Sequence, residues 1–217
     1  MGNSRTFLRW PTRRSKEWLA RFLAEASHEP DILAVVAIGS GVRPGVKSND
    51  LDLVVVRTGP PARVDAPIEV DLRHFQAEEI DLKVQEGNDL LGWAAIFGIP
   101  LVDKDRFWTR FVDRHRGRIP MPSAQVARDR AQKAQTHVER LLDTGDEEAA
   151  AEQLVSMLTH LARAALVETG TYPASRPELP GQLRARGEHE IADALEQAIF
   201  RERPAGAIYR ELLSFHT

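Results

Sequence analysis

Residues 34–56 read AVVAIGSGVRPGVKSNDLDLVVV. Two apolar runs, 32–38 and 51–56, flank a loop that contains three glycines and a lysine close to a serine. Hydrophobic residues, many of them β-branched, dominate both runs with little polar alternation, which predicts strands covered on both faces. The stretch therefore predicts a sheet in which a glycine-rich loop joins two buried strands.

The glycine-rich loop does not have the spacing of a P-loop. That motif requires glycine, four residues, then Gly-Lys-Ser/Thr in succession, and it opens a helix whose N-terminus binds phosphate. Here five residues separate Gly39 from Gly45, and Val46 stands before Lys47. The residues after Ser48 read as a strand rather than a helix, so the P-loop interpretation fails on both spacing and context.

Two aspartates, Asp50 and Asp52, stand at the start of the second apolar run. Residues two apart on a strand point to one face with α-carbons roughly 6.5–7 Å apart, so the carboxylates can converge. Such carboxylates repel unless a cation lies between them, and magnesium accepts both carboxylate and phosphate oxygens. The alternative is that the pair begins a strand on its solvated side. A third predicted strand, 68–74, adds Glu69 and Asp71 on one face.

These features together resemble the signature of the nucleotidyltransferase superfamily of DNA polymerase beta, over about residues 30–110. That signature is Gly-Ser, a variable loop, Asp-x-Asp/Glu on a strand, and a third carboxylate on a later strand. The resemblance implies that Gly39 and Ser40 bind nucleotide phosphates and that Asp50 and Asp52 are catalytic metal ligands. Asp71 fits the family's third acid because hydrophobic residues flank it, and Glu69 is the alternative.

The loop departs from the pattern Gly-Ser-Arg-Ala-Arg-Gly that many family members carry. Here it reads Gly-Ser-Gly-Val-Arg-Pro, which keeps only the second arginine, Arg43. By this match, Arg43 is a candidate nucleotide-binding residue that contacts phosphate. Pro44 restricts a φ angle that glycine leaves free, so we expect a different loop geometry.

The resemblance also implies a reaction. A nucleoside monophosphate, AMP from ATP, would be transferred to a hydroxyl of a small molecule such as an antibiotic, or of a protein, with release of pyrophosphate. Two Mg²⁺ ions would be held by Asp50, Asp52 and Asp71. The alternative is a non-catalytic nucleotide-binding or regulatory protein, including a toxin–antitoxin interaction protein, that retains the fold.

The chain changes character at 116–123, a segment with two prolines and little periodicity. Apolar residues then recur at helical spacing in 124–143, 147–169, 177–186, 188–202 and 205–215. We therefore predict an α+β protein, with a small mixed-sheet nucleotidyltransferase core and flanking helices at 1–118 and an all-α helical bundle at 119–217.

The predicted bundle resembles the C-terminal helical domain of aminoglycoside nucleotidyltransferases, which implies an acceptor bound against its helices. Glu139, Glu152 and Glu168 are candidates to face a cationic acceptor. The alternative interpretation is that these three residues are ordinary glutamates on solvated helix faces.

Composition narrows the classes of partner. A net charge of −3 argues against duplex nucleic acid. The absence of cysteine excludes disulfides, thiolate nucleophiles and Cys-based zinc sites, and fits a reducing cytoplasm. No apolar run approaches the roughly 18 residues of a membrane span, so we expect a cytoplasmic protein with no membrane partner. The sequence is compatible with a homodimer as well as with a monomer.

Overall fold

The structure is a computed structural model that describes residues 10–43, 49–60 and 64–215. The chain divides into two compact units, Met1–Pro120 and Met121–Thr217. In the first unit a mixed sheet is flanked by helices, and the second unit is helical. The predicted α+β fold class is therefore confirmed.

The first unit is built on a four-stranded sheet with the order β3-β2-β1-β4. Strands β2 and β3 are parallel, and β1 is antiparallel to both β2 and β4. The described elements of this unit are α1 (Arg13–His28), β1 (Ile32–Ile38), β2 (Leu51–Arg57), β3 (Val70–Gln76), α2 (Ile80–Gln85), α3 (Asp89–Phe97), β4 (Ile99–Asp103) and α4 (Phe107–His115).

The third strand begins two residues later than the alternating pattern predicts. The N–H of Val70 donates to the carbonyl of Pro67 at 2.9 Å, which closes a turn before β3. Ile68 lies in that turn and is fully exposed. The alternation of polar and apolar residues from 68 onward therefore included two residues that belong to the turn and not to β3.

Both faces of the sheet are buried, as the unbroken apolar runs predict. Alternate strand residues, including Val35, Leu53 and Val55, pack against α1. The intervening residues, including Val36 and Val54, pack against α2, α3 and α4. Because β2 alternates between these faces, Asp52 belongs to the same face as Val54.

The α-helices of the second unit are, in the described residues, α5 (Ala124–Asp143), α6 (Glu147–Glu168), α7 (Leu179–Arg184), α8 (His189–Phe200) and α9 (Ala205–Phe215), and a 3₁₀ turn at Arg176–Glu178 precedes α7. Its core combines small residues of α5, such as Ala131 and Ala134, with larger residues of α6 and α8, such as Leu158 and Leu195. Across the described chain, no helix has both the length and the apolar composition needed to cross a bilayer.

Candidate active site

The predicted site residues collect at one edge of the sheet, where β1 ends beside the starts of β2 and β3. Ile38, the last residue of β1, pairs with Asp52 on β2, and Asp52 pairs with Asp71 on β3. Adjacent strands lie about 4.8 Å apart, so this register places the two aspartates side by side. Gly39 follows Ile38 directly in the chain. The strand pairing thus brings Gly39, Asp52 and Asp71 together.

Gly39 places its backbone directly against the Asp52 carboxylate. Its φ of 73° and ψ of −159° lie in a region that essentially only glycine occupies. A Cβ added to Gly39 would lie 2.3 Å from Oδ2 of Asp52, closer than any non-bonded contact allows. Both the backbone conformation and the close approach therefore require glycine. Ser40 begins the 3₁₀ turn Ser40–Val42 immediately after it.

Asp52 is a partly buried carboxyl group among other acids. Its pKa is raised from 3.8 to about 6, first by burial and then by the negative charges of Asp50 and Asp71, while Arg73 acts in the opposite direction. Crowded carboxylates of this kind favour either a proton or a bound cation between them. The raised pKa of Asp52 therefore reflects its burial first and the negative charge of its neighbours second.

We expect Asp52 to make the metal-free protein more stable as the pH falls from 7 to 4. Its folded pKa of about 6 exceeds its ordinary value of 3.8, so over this interval the folded state takes up a proton that the unfolded state does not. Above pH 6 the ionised carboxylate costs about 1–2 kcal/mol after solvent screening. In urea unfolding with EDTA, Asp52→Asn should exceed wild type in stability at pH 7, and the difference should shrink towards pH 4.5. A difference that does not change with pH would contradict this account.

Asp50 does not lie on β2, so the prediction that Asp50 and Asp52 share one strand face is wrong. The strand begins at Leu51, whose N–H donates to the carbonyl of Glu69 at 2.8 Å, and Asp50 occupies the bend before it. The pairing of β2 with β3 begins at Leu51, one residue after Asp50. Asp50 nevertheless lies close enough for its charge to raise the pKa of Asp52.

The two candidates for the third acid have different environments. Asp71 lies on β3 beside Asp52, and its Oδ2 accepts hydrogen bonds from Arg73 Nε at 3.0 Å and Nη2 at 2.6 Å. Glu69 precedes the strand, and its carboxylate accepts a hydrogen bond from the Thr12 hydroxyl at the start of α1. That bond lowers the pKa of Glu69. The geometry favours Asp71 as the acid that acts with Asp52.

Carboxylate oxygens at this edge have the donor chemistry that Mg²⁺ prefers. The ligand set is not preformed, however, since no three Asp, Glu or His side chains in the described ranges converge closely enough to hold a metal ion. Arg73 holds the carboxylate of Asp71. A cation shared by Asp52 and Asp71 would therefore compete with Arg73 for the Asp71 carboxylate.

Arg43, the predicted phosphate contact, lies over the ring of Phe97 at the end of α3. The guanidinium carbon is 4.7 Å from the ring centroid, which is a cation–π contact. The segment 44–48, with Pro44 and its expected effect on the loop, lies outside the described residues.

Arg73 and Phe97 are site neighbours that the sequence analysis did not single out. Arg73 could have been found, because it stands two residues after Asp71 on the same strand and so on the same face. The contact between Phe97 and Arg43 joins two distant segments, and no local spacing signals it.

The three glutamates proposed to face a cationic acceptor are each engaged within the second unit. The pairs are Glu139 with Tyr209, Glu152 with Arg201, and Glu168 with Arg128. Burial and the bond to Glu139 raise the pKa of Tyr209 to about 12, so its phenol remains a donor at neutral pH. These contacts favour a structural role for the three glutamates.

Comparison with known proteins yields distant structural likeness alone. No protein-family model matches the chain, and no curated protein matches it. Among solved structures, the chain is similar to a nucleotidyltransferase-like protein from Exiguobacterium sibiricum 255-15, with a TM-score of 0.41 and 15% sequence identity. The match covers 84% of this chain and 66% of the other, just under two thirds of its length. A likeness this distant carries no functional argument, so function has to be argued from the site.

Proposed function

We propose that the first unit is a magnesium-dependent nucleotidyltransferase that moves AMP from ATP onto a hydroxyl group and releases pyrophosphate. The observation that carries this proposal is the approach of the Gly39 backbone to the Asp52 carboxylate, with Asp71 in register on the next strand. Phosphates bound along the Gly39-Ser40 backbone would lie next to these carboxylates. The transfer reaction concentrates negative charge around the α-phosphorus. Metal ions held by the carboxylates would have to lie beside the phosphates to neutralise that charge.

Each predicted residue has a role in this scheme. The backbone and hydroxyl of Gly39-Ser40 would bind the phosphates, and Arg43 would neutralise part of their charge. Asp50, Asp52 and Asp71 would hold Mg²⁺. When bound, Mg²⁺ would offset the charge that develops on the phosphate oxygens. An acceptor hydroxyl then forms a bond to the α-phosphorus as the bond to pyrophosphate breaks, and its proton would pass to Asp71 once Arg73 has released that carboxylate.

Thermal unfolding with each nucleoside triphosphate tests the proposal. A ligand at a hundred times its dissociation constant stabilises by about 2.7 kcal/mol, which for a chain of this size raises the melting temperature by about 5–10 °C. We expect such a shift with ATP and magnesium, and little or none with EDTA. The absence of a shift with all four triphosphates at millimolar concentration would overturn the proposal.

The second candidate is a nucleotide-binding or regulatory protein without turnover, such as a toxin–antitoxin interaction protein. The ion pair between Arg73 and Asp71 favours it, because it offers the third acid a partner other than a metal ion. Binding of ATP that is equal with magnesium and with EDTA, and no pyrophosphate release with hydroxyl-bearing small molecules or proteins, would support this candidate over the enzyme.

A further inference from the structure

A separate pocket lies at the opposite end of the sheet from Asp52. It encloses about 680 Å³ between α1, the start of β1 and the ends of β2 and β3. Arg57 ends β2 five residues after Asp52, so roughly 16 Å of strand separates the two positions. His74 pairs with Val55, which packs on α1, so the pocket belongs to the other face of the sheet from Asp52.

Two buried polar atoms of this pocket have no hydrogen-bond partner among the described residues. One is Nε of Arg57, a residue only 5% exposed, and the other is Nδ1 of His74. Buried polar groups are normally paired, because an unmade bond costs about 1–3 kcal/mol. In the described chain just one further buried side-chain atom, the Thr171 hydroxyl oxygen, lacks a partner. Two of the three unpaired atoms thus belong to residues that line a single pocket.

Arg57 favours an anionic partner in this pocket. Its guanidinium is positively charged, and burying a charge is costly unless an opposite charge and hydrogen bonds compensate it. Burial and the charge of Arg57 both lower the pKa of His74, so its imidazole is neutral at pH 7 and Nδ1 can donate or accept a hydrogen bond. A carboxylate or phosphate in the pocket would compensate the charge of the Arg57 guanidinium. Nε of Arg57 and Nδ1 of His74 are themselves buried, so the anion would bond them only after these side chains shift.

The remaining walls indicate a small anion with an apolar body. Trp18 and Phe22 of α1 stack with ring centroids 4.9 Å apart and line the pocket. Four carboxylates, the exposed Glu25, Glu29 and Asp65 and the half-buried Asp31, also line it and would repel a strongly charged ligand. A triphosphate is therefore disfavoured here. A singly charged group on an aromatic or aliphatic body suits both Arg57 and the aromatic side chains of Trp18 and Phe22.

We propose that this pocket binds a small organic anion, whose carboxylate or phosphate ester is held by Arg57 with His74 and whose apolar body packs against Trp18 and Phe22. The site is independent of nucleotidyl transfer, since it uses none of the residues assigned to that reaction.

Isothermal titration calorimetry with benzoate and phenyl phosphate tests this site, with benzamide as the uncharged control. Wild type should bind at least one of the two anions in the millimolar range or tighter and bind benzamide at least tenfold more weakly. The stronger of the two anions identifies the preferred acidic group. Arg57→Met keeps most of the side-chain volume and removes the charge, so it should weaken anion binding at least tenfold.

Arg110→Met is the matched control, because Arg110 is an exposed arginine on α4 of the same unit. It should bind both anions as wild type does, and so should Asp52→Asn, which separates this proposal from the transferase. If Arg57→Met does not fold, Arg57→Lys retains the charge without the Nε–H donor and should bind at least threefold more weakly. Anion affinity that is unchanged in these Arg57 variants, or no binding of either anion to wild type, would overturn the proposal.

Discussion

Asp52→Asn is expected to lower the rate of nucleotidyl transfer on the order of 10³-fold while the protein stays folded. The variant removes the negative charge of a carboxylate that lies against the Gly39 backbone and within reach of the charges of Asp50 and Asp71. Losses of 10²–10³-fold are typical when one group that stabilises transition-state charge is removed, and a metal ligand adds to this. The measurement is transfer of label from α-labelled ATP to an acceptor, with pyrophosphate release followed in parallel.

Three further variants test whether the loss of transfer rate is specific to the proposed metal ligands and which residue is the third acid. Asp71→Asn should reduce transfer to a similar degree, because Asp71 is the strand neighbour of Asp52. Glu69→Gln should change the rate less than about threefold, since Glu69 is engaged with Thr12. Asp113→Asn is the control for an exposed acid paired with an arginine. If Glu69→Gln is as damaging as Asp71→Asn, the third acid is Glu69 and the present assignment is wrong.

Gly39→Ala is expected to lower the free energy of unfolding by about 2–4 kcal/mol and to abolish binding of magnesium and ATP. The backbone conformation of Gly39 costs a residue with a side chain about 1–3 kcal/mol, and overpacking adds a similar amount. The new methyl group would displace the Asp52 carboxylate, which lies 2.3 Å from its position. Urea unfolding and calorimetric titration with ATP and magnesium measure the two effects.

Gly87→Ala separates backbone strain from the contact with Asp52. Gly87 also has a positive φ, of 82°, but a Cβ at that position meets nothing within 4 Å. We expect a cost of about 1–2 kcal/mol and no effect on nucleotide binding. Equal losses of stability and binding in the two variants would show that the approach of Gly39 to Asp52 has no special role.

Much of the fold was predictable because its signals are local. Unbroken apolar runs at 32–38 and 51–56 indicated β1 and β2, and helical spacing indicated the five helices that form the second unit in the described residues. Gly39 and Asp52 could be selected because the motif that contains them spans a single strand-loop-strand segment. The limits of β2 and β3 were less well predicted, since a polar residue beside a strand resembles one within it.

The sequence by itself determined the α+β class, the two kinds of unit and the chemistry available at the Gly-Ser and Asp-x-Asp segments. Only the tertiary structure decided that β2 and β3 run parallel with Asp52 beside Asp71, that Glu69 binds Thr12, and that Nε of the buried Arg57 has no hydrogen-bond partner among the described residues. The physical reason is that side-chain periodicity reports which face of an element is buried, a property of neighbours in sequence. Strand partners, register and buried charges depend on which distant segments pack together, and no spacing along the chain encodes them.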